Sequence, residues 1–263
     1  MPPSQKRARR YDFATTRTAV LAQCEYVRNA VRSLAPGQLA LPTRLGDWTV
    51  RELAAHLAMA VGSVSRFLDE EAPAVQELTL LEWPFATAPV ADRISEDVRA
   101  LAAASDPVEL LDRAVAALAE RLPGADGERL LATRVGAMRL ADYLVSRCVE
   151  LVVHTDDLNA AVGLEIPYDP KALAACTRLL ADALAARAPG ASTEVRIPPY
   201  AVVQCVEGPR HTRGTPPNVV ETDPLSWIRL ATGRTQWQQA VDGALVVAGG
   251  ERADLSHLLP LMG

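Results

Sequence analysis

From Tyr11 to about Gly163 the apolar positions recur in steps of three and four, the period of helices that bury one face. Val20, Cys24, Val27, Val31 and Leu34 mark a first helix that stops at Pro36-Gly37. A second begins at the segment GDWT, where Thr49 and Glu52 have the spacing of a capping box, and continues through Leu53, Leu57, Ala60 and Val64. After a stretch bounded by Pro73 and Pro89, a third helix is predicted from Asp92 to Leu122, ended by Pro123-Gly124. A fourth runs from about Arg139 to Ala161 and is closed by Gly163. Four long helices with no strand signal between them predict a four-helix bundle over residues 11–163.

The period changes near Ile166–Pro170. One more helix, Lys171 to Ala188, precedes short runs of β character: TEVRI, YAVVQCVE and, later, GALVVAG. A further helix is expected after the cap Asp223, with Pro224 in its first turn. Strands and helices mixed without regular alternation predict a small α+β domain over residues 168–263. The fold class is therefore a helical bundle followed by a small α+β unit.

Composition narrows the function classes. At 263 residues and 49% hydrophobic content the chain can bury a substantial core, which excludes a disordered or fibrous protein. No apolar run approaches the ~20 residues needed to span a bilayer, and the basic start MPPSQKRARRYDF leads into no apolar segment. A cytoplasmic location without a membrane span is expected. The net charge of −5 argues against a nucleic-acid binder, and Lys6, Arg7, Arg9 and Arg10 read as a solvated tail. All but two of the basic residues are arginine, a bias that suits a high-GC genome. Cys24, Cys148, Cys176 and Cys205 show no ligand or disulfide spacing and are expected as reduced, buried thiols.

The fourth helix carries the most informative chemistry. At about 100° per residue, Tyr143, Arg147, Glu150, His154 and Asp157 share one sector, apart from the apolar stripe of Leu144, Cys148, Leu151 and Leu158. Glu150 and His154 stand one turn apart, a spacing at which a carboxylate and an imidazole can share a metal ion. Taken on its own, the helix reads first as a solvated face with an ordinary carboxylate–imidazole contact. His56, on the border of the second helix's apolar face, supplies a third candidate ligand, although a lone histidine there also fits as a satisfied core side chain. Three ligands from two helices leave an open coordination position, the arrangement of a catalytic zinc site.

Two segments, GDWTVRELAAHLA (Gly46 to Ala58) and SRCVELVVHTDDLNAAVG (Ser146 to Gly163), resemble the mycothiol-dependent maleylpyruvate isomerase family, part of the wider DinB-like metalloprotein group. The resemblance implies that His56, Glu150 and His154 bind a divalent metal, usually zinc. It implies an enzyme that uses mycothiol, the metal-held thiolate attacking a small electrophile, with isomerisation or S-transfer as the outcome. Arg93 stands where that family often has an arginine paired with an acidic substrate. Arg147 and Asp157 are expected to orient Glu150 and His154 or to contact the thiol. Trp48 is expected to pack at the start of its helix, and His211 and His257 to play structural or surface roles.

The segment Val203 to Trp237 is similar to bacterial sterol-carrier-like domains, which implies either a lipid held in a tunnel or a domain that closes over the metal site. Two other readings therefore stand beside the thiol enzyme: a non-catalytic lipid-binding protein, and a metal-dependent hydrolase using metal-bound water. The loop HTRGTPPN, His211 to Asn218, is expected to be a turn-rich cap.

Overall fold

The computed structural model describes residues 9–208 and 216–262. Lys6, Arg7, His211 and most of the His211–Asn218 loop lie outside the described residues.

Helix α1 (Phe13–Ser33) begins where the Asp12 carboxylate accepts from the Thr15 amide, and it buries Val20, Cys24, Val27 and Val31, the expected stripe. Helix α2 (Val50–Asp69) starts at the expected capping box, the Thr49 amide donating to the Glu52 carboxylate at 2.8 Å. The loop before it is tight. Gly46 adopts a positive φ of 63°, and Thr43 binds the Trp48 carbonyl through both its amide and its hydroxyl. After the short α3 (Trp83–Ala86), the single helix expected over 92–122 is in fact two, α4 (Ala91–Ala104) and α5 (Pro107–Arg121). The break has a local cause. Pro107 disfavours helical backbone at Asp106, whose carboxylate instead caps α5 by accepting from the amides of Val108 and Glu109.

A hairpin that the sequence reading did not anticipate, β1 (Leu130–Thr133) and β2 (Gly136–Arg139), leads directly into α6 (Leu140–Val162). Its four-residue strands are too short for alternation to register. They also anchor the Pro-bearing stretch, because Ala137 bonds the Glu77 and Leu78 backbone and the Glu77 carboxylate.

Helix α6 is central. It packs against α1, α2 and α7 (Pro170–Arg187), and α7 in turn packs against the C-terminal sheet. The sheet contains β3 (Thr193–Ile197), β4 (Ala201–Cys205), β5 (Val219–Thr222) and β6 (Val246–Gly249) in the order β4-β3-β5-β6. The β3–β5 pair is parallel and the other two are antiparallel. Strand β3 alternates as two-sided strands do, Val195 and Ile197 turning inward while Glu194 and Arg196 are partly exposed. Helix α8 (Pro224–Ala231) is capped by Asp223 with Pro224 in its first turn, as expected, and α9 (Trp237–Asp242) follows.

The architecture is thus a mixed α and β protein, helix-rich in its first part and carrying a sheet in its last. One continuous hydrophobic cluster runs from Val20 and Leu53 through Leu151 and Leu180 to Val195 and Trp227. Cys24, Cys148, Cys176 and Cys205 are free and buried within it, the role expected of them. Among the described residues no helix is long and apolar enough to cross a membrane.

Gly163 closes α6 in the left-handed conformation, φ 67°, and a Cβ there would meet no atom within 4 Å. Gly163→Ala therefore carries backbone strain alone, about 1 kcal/mol, which lowers the melting temperature by roughly 2–4 °C. Calorimetry reads this directly, and an unchanged melting temperature would show that this cap does not hold the helix end.

Candidate metal centre

The polar stripe of α6 does not face solvent. Tyr143, Arg147, His154 and Asp157 are all buried, and the Glu150 side chain is 17% exposed. The solvated-face alternative fails because the stripe is roofed by α2 on one side and by the segment after α8 on the other. His56, in the second turn of α2, places Nε2 2.9 Å from Glu150 Oε2, and His154 Nε2 lies 3.4 Å from the same oxygen. One donor atom from each of His56, Glu150 and His154 falls within 4.8 Å of the others, so the three side chains can hold a metal ion. The imidazole rings of His56 and His154 meet edge to face, 4.6 Å between centroids.

The two histidines are oriented by different means. His154 Nδ1 bonds Asp157 Oδ2 at 2.8 Å, which fixes the ring and turns Nε2 toward Glu150. His56 has no such partner. Its Nδ1 is buried without a hydrogen bond among the described residues, and the ring is held by packing against Trp48, 5.3 Å away. Trp48 in turn donates from Nε1 to Ser95 Oγ on α4 at 3.0 Å, so it does more than start its helix.

The electrostatics follow from burial and partners. Burial alone would raise the Glu150 carboxyl, but hydrogen bonds to His154 and His56 and the charge of Arg147 hold it well below the carboxylate range. Burial lowers His56, and its contact with Glu150 only partly offsets this. For His154 the order reverses: burial would lower it, yet the bonds to Asp157 and Glu150 raise it above the ordinary imidazole value.

Behind His154 lies a cluster that the sequence reading did not identify. Asp156 and Asp157, adjacent and buried, are met by three arginines from distant segments. Arg229 on α8 grips Asp156 with two bonds of 2.9 and 2.6 Å. Arg234 reaches Asp157 Oδ2 at 2.9 Å, and Arg44, from the loop before α2, bonds both aspartates. Asp157 also accepts from His154, so its carboxyl is held far below its usual range despite burial. Only the pair Asp156-Asp157 carried a signal in the sequence; its partners lie 73 to 113 positions away and follow no local pattern.

Two cavities meet at the centre. The larger, about 430 Å³, is lined by His56, Glu150 and His154 together with Trp48, Asp92 and Arg234. The smaller, about 70 Å³, shares His56 and Glu150 and extends past Tyr143, Arg147 and Trp83. Arg93 is exposed on the first turn of α4 and lines neither; its neighbours Asp92 and Ile94 do. Arg147 comes 3.8 Å from Glu150 Oε1, and Asp157 touches His154, so both stand beside the candidate ligands. His257 is exposed and lines neither cavity.

Carboxyls held low in the fold stabilise it above their unfolded values, about pH 4, and lose that contribution as pH falls. Urea unfolding is therefore expected to show a lower midpoint at pH 3.5 than at pH 7. In an Asp157→Asn variant the difference shrinks, and an undiminished pH dependence would remove Asp157 from the source of acid sensitivity.

Residues 20–159 match the family described as the mycothiol maleylpyruvate isomerase N-terminal domain, and residues 169–261 match the family described as bacterial SCP ortholog. Among curated proteins none matches the chain. A crystal structure of the mycothiol-dependent maleylpyruvate isomerase is similar in fold, with a TM-score of 0.59 and 17% identity over 93% of this chain and 95% of that one. A histidine-to-alanine variant of that enzyme gives the same TM-score at 16% identity and the same coverage. The first family match spans more than half of the sequence and contains His56, Glu150 and His154, and with it the chain belongs to the mycothiol-dependent maleylpyruvate isomerase family of enzymes.

Proposed function

We propose that this protein is a metal- and mycothiol-dependent isomerase or S-transferase acting on a small electrophile. The observation that carries the reading is the convergence of His56, Glu150 and His154 at the floor of a cavity of about 430 Å³, a size usual for small-molecule sites. Two imidazoles and a carboxylate suit a divalent ion such as zinc and leave room for a further ligand. A divalent cation so held would lower the pKa of a thiol bound to it, so that the thiol gives its proton to solvent and stands as thiolate at neutral pH.

The chain's own residues do the rest. Asp157 keeps the His154 ring in the tautomer whose Nε2 faces the centre. Glu150 stays ionised among the imidazoles, so its carboxylate is available as a ligand across the neutral range. Trp48 walls the larger cavity beside His56 and narrows the space open to water around the reacting thiol. Arg93, beside cavity-lining Asp92 and Ile94, is the rim cation that meets an acidic substrate on entry.

In this reading residues 11–163 form the metal-binding unit, a four-helix bundle of α1, α2, α5 and α6, and residues 168–263 form the sterol-carrier-like unit. That second unit serves the centre rather than a lipid. Arg234 and Met262 reach the wall of the cavity, while the space between sheet and helices is filled by Val195, Ile197, Val203 and Trp227.

Calorimetric titration of mycothiol into zinc-loaded protein tests the proposal. Binding is expected in the wild type and lost in His56→Ala. No binding to fully loaded wild-type protein would sink the thiol mechanism.

A further inference from the structure

We propose that α4 is the lid of the candidate metal centre: it swings off α2 to admit ligands and is latched shut by the hydrogen bond from Trp48 to Ser95. The inference rests on the reading of His56, Glu150 and His154 as the reacting centre, and extends it by assigning the wall that opens.

His56 and His154 are 8% and 9% exposed, so a molecule reaches their ring nitrogens only past the walls around them. Those walls are held very differently. Helices α2 and α6 are built into the main hydrophobic cluster, and the segment after α8 is bound to α6 through Arg234 and Asp157. Alone among the described α-helices, α4 contributes nothing to that cluster. Of its 14 residues only Val98 and Ala102 are buried, and with Ala55 of α2 they form a small cluster of their own, flanked by Trp48, Met59 and Ile94. An element held by so few apolar contacts opens at a cost well below that of unfolding the whole chain.

The polar ties of α4 divide it into a hinge end and a free end. At its C-terminus Arg51 reaches the carbonyls of Ala102 and Ser105 at 3.3 and 3.5 Å, and Ser105 turns to extended backbone ahead of the Asp106-Pro107 break. Its N-terminus has no side-chain cap, whereas Asp12, Thr49 and Asp106 cap α1, α2 and α5. The ion pairs of Arg99 with Asp47 and of Arg134 with Asp97 are exposed to water and hold little. What remains near the free end is the half-buried bond from Trp48 Nε1 to Ser95 Oγ, 3.0 Å. That end stands over the centre. Ile94 and Thr87, just ahead of the helix, line both cavities, and among the described residues only His56 and Glu150 also do. Ala91, Asp92 and Ser95 continue the wall of the larger cavity. Pivoting about the Ser105 end withdraws this wall and joins the two spaces; the return puts the apolar Ile94 back between them and excludes water. The latch shares its indole with His56, 5.3 Å between ring centroids, so closure of α4 and support of the His56 ring depend on one side chain.

Amide hydrogen exchange of the zinc-loaded protein tests the lid. The amides of α4 are expected to exchange about tenfold or more faster than those of α5, and Ser95→Ala to speed α4 alone by about a further two- to tenfold, the effect of one lost hydrogen bond. Arg134→Ala, which breaks an exposed pair, is expected to change exchange by less than about twofold. The melting temperature of Ser95→Ala is expected to stay within about 2 °C of the wild type, because α4 lies outside the main core. Release of zinc to a coloured chelator is the second readout, and in Ser95→Ala it is expected to quicken by the same factor as the exchange. Exchange in α4 as slow as in α5 overturns the proposal, as does acceleration spread over α1, α2, α5 and α6 together. Faster exchange without faster zinc release also overturns it, since α4 would then fray without gating the centre. A protein that holds no zinc removes the metal reading, and the exchange rates, which need no metal, still decide whether α4 opens. Opening and zinc release as expected in a protein that does not bind mycothiol would retain the lid and remove the thiol reading alone.

Discussion

Two neighbouring carboxylates buried in one helix set the terms for the rest of this structure. Asp156 and Asp157 sit on α6 at 3% and 0% exposure, where an unpaired charge would cost several kcal/mol. Their compensation comes from outside the helix: Arg44 from the loop ahead of α2, Arg229 from α8 and Arg234 from the segment after it. Each arginine therefore fixes a piece of chain against α6. The loop that presents Trp48 and starts the His56 helix is one such piece, and the C-terminal segment that walls the larger cavity is another. Lysine would not substitute, because the planar fork that holds Asp156 by two parallel bonds has no ammonium counterpart.

How much of this was legible beforehand depended on whether a feature is local in sequence. The spacing of Val20, Cys24, Val27 and Val31 marks α1 because a helix repeats its buried face, and the Thr49–Glu52 pair marks the start of α2 because a cap is a contact over three residues. Glu150 and His154 were readable for the same reason, one turn apart on one helix. His56 draws its candidacy from the family resemblance as well, since nothing local separates a candidate ligand from an ordinary core histidine. The break at Asp106-Pro107 was also local, and the apolar periodicity on either side hid it.

The features that escaped are those made by distance. Hairpin β1–β2 has strands too short to show a period, and β5 pairs with β3 only through a parallel crossover of about twenty residues. The arginine clamp is invisible because Arg229 and Arg234 are unremarkable on their own segments and acquire meaning only opposite Asp156 and Asp157. The stripe on α6 is local in sequence, but periodicity cannot say whether a polar sector faces solvent or other chain; the packing of α2 and of the segment after α8 makes it interior.

The unequal support of the two histidines follows from the same arrangement. His154 is fixed through Asp157, and Asp157 is ionised because Arg44 and Arg234 and the imidazole itself surround it. Its orientation is thus electrostatic and relies on chain from both ends of the protein. His56 is fixed by the face of Trp48 and by Glu150, with its second nitrogen unbonded. Packing holds a ring less specifically than a short charged hydrogen bond does, so of the two candidate ligands His56 is held less tightly than His154. The C-terminal part of the chain supplies one of the charges around the carboxylate that fixes the His154 ring. Without Arg229 and Arg234, Asp156 and Asp157 would share the single cation Arg44, and the bond that aims His154 would compete with the need to solvate a bare carboxylate. Docking of the sheet-bearing region and orientation of His154 in the candidate metal centre depend on the same set of charges.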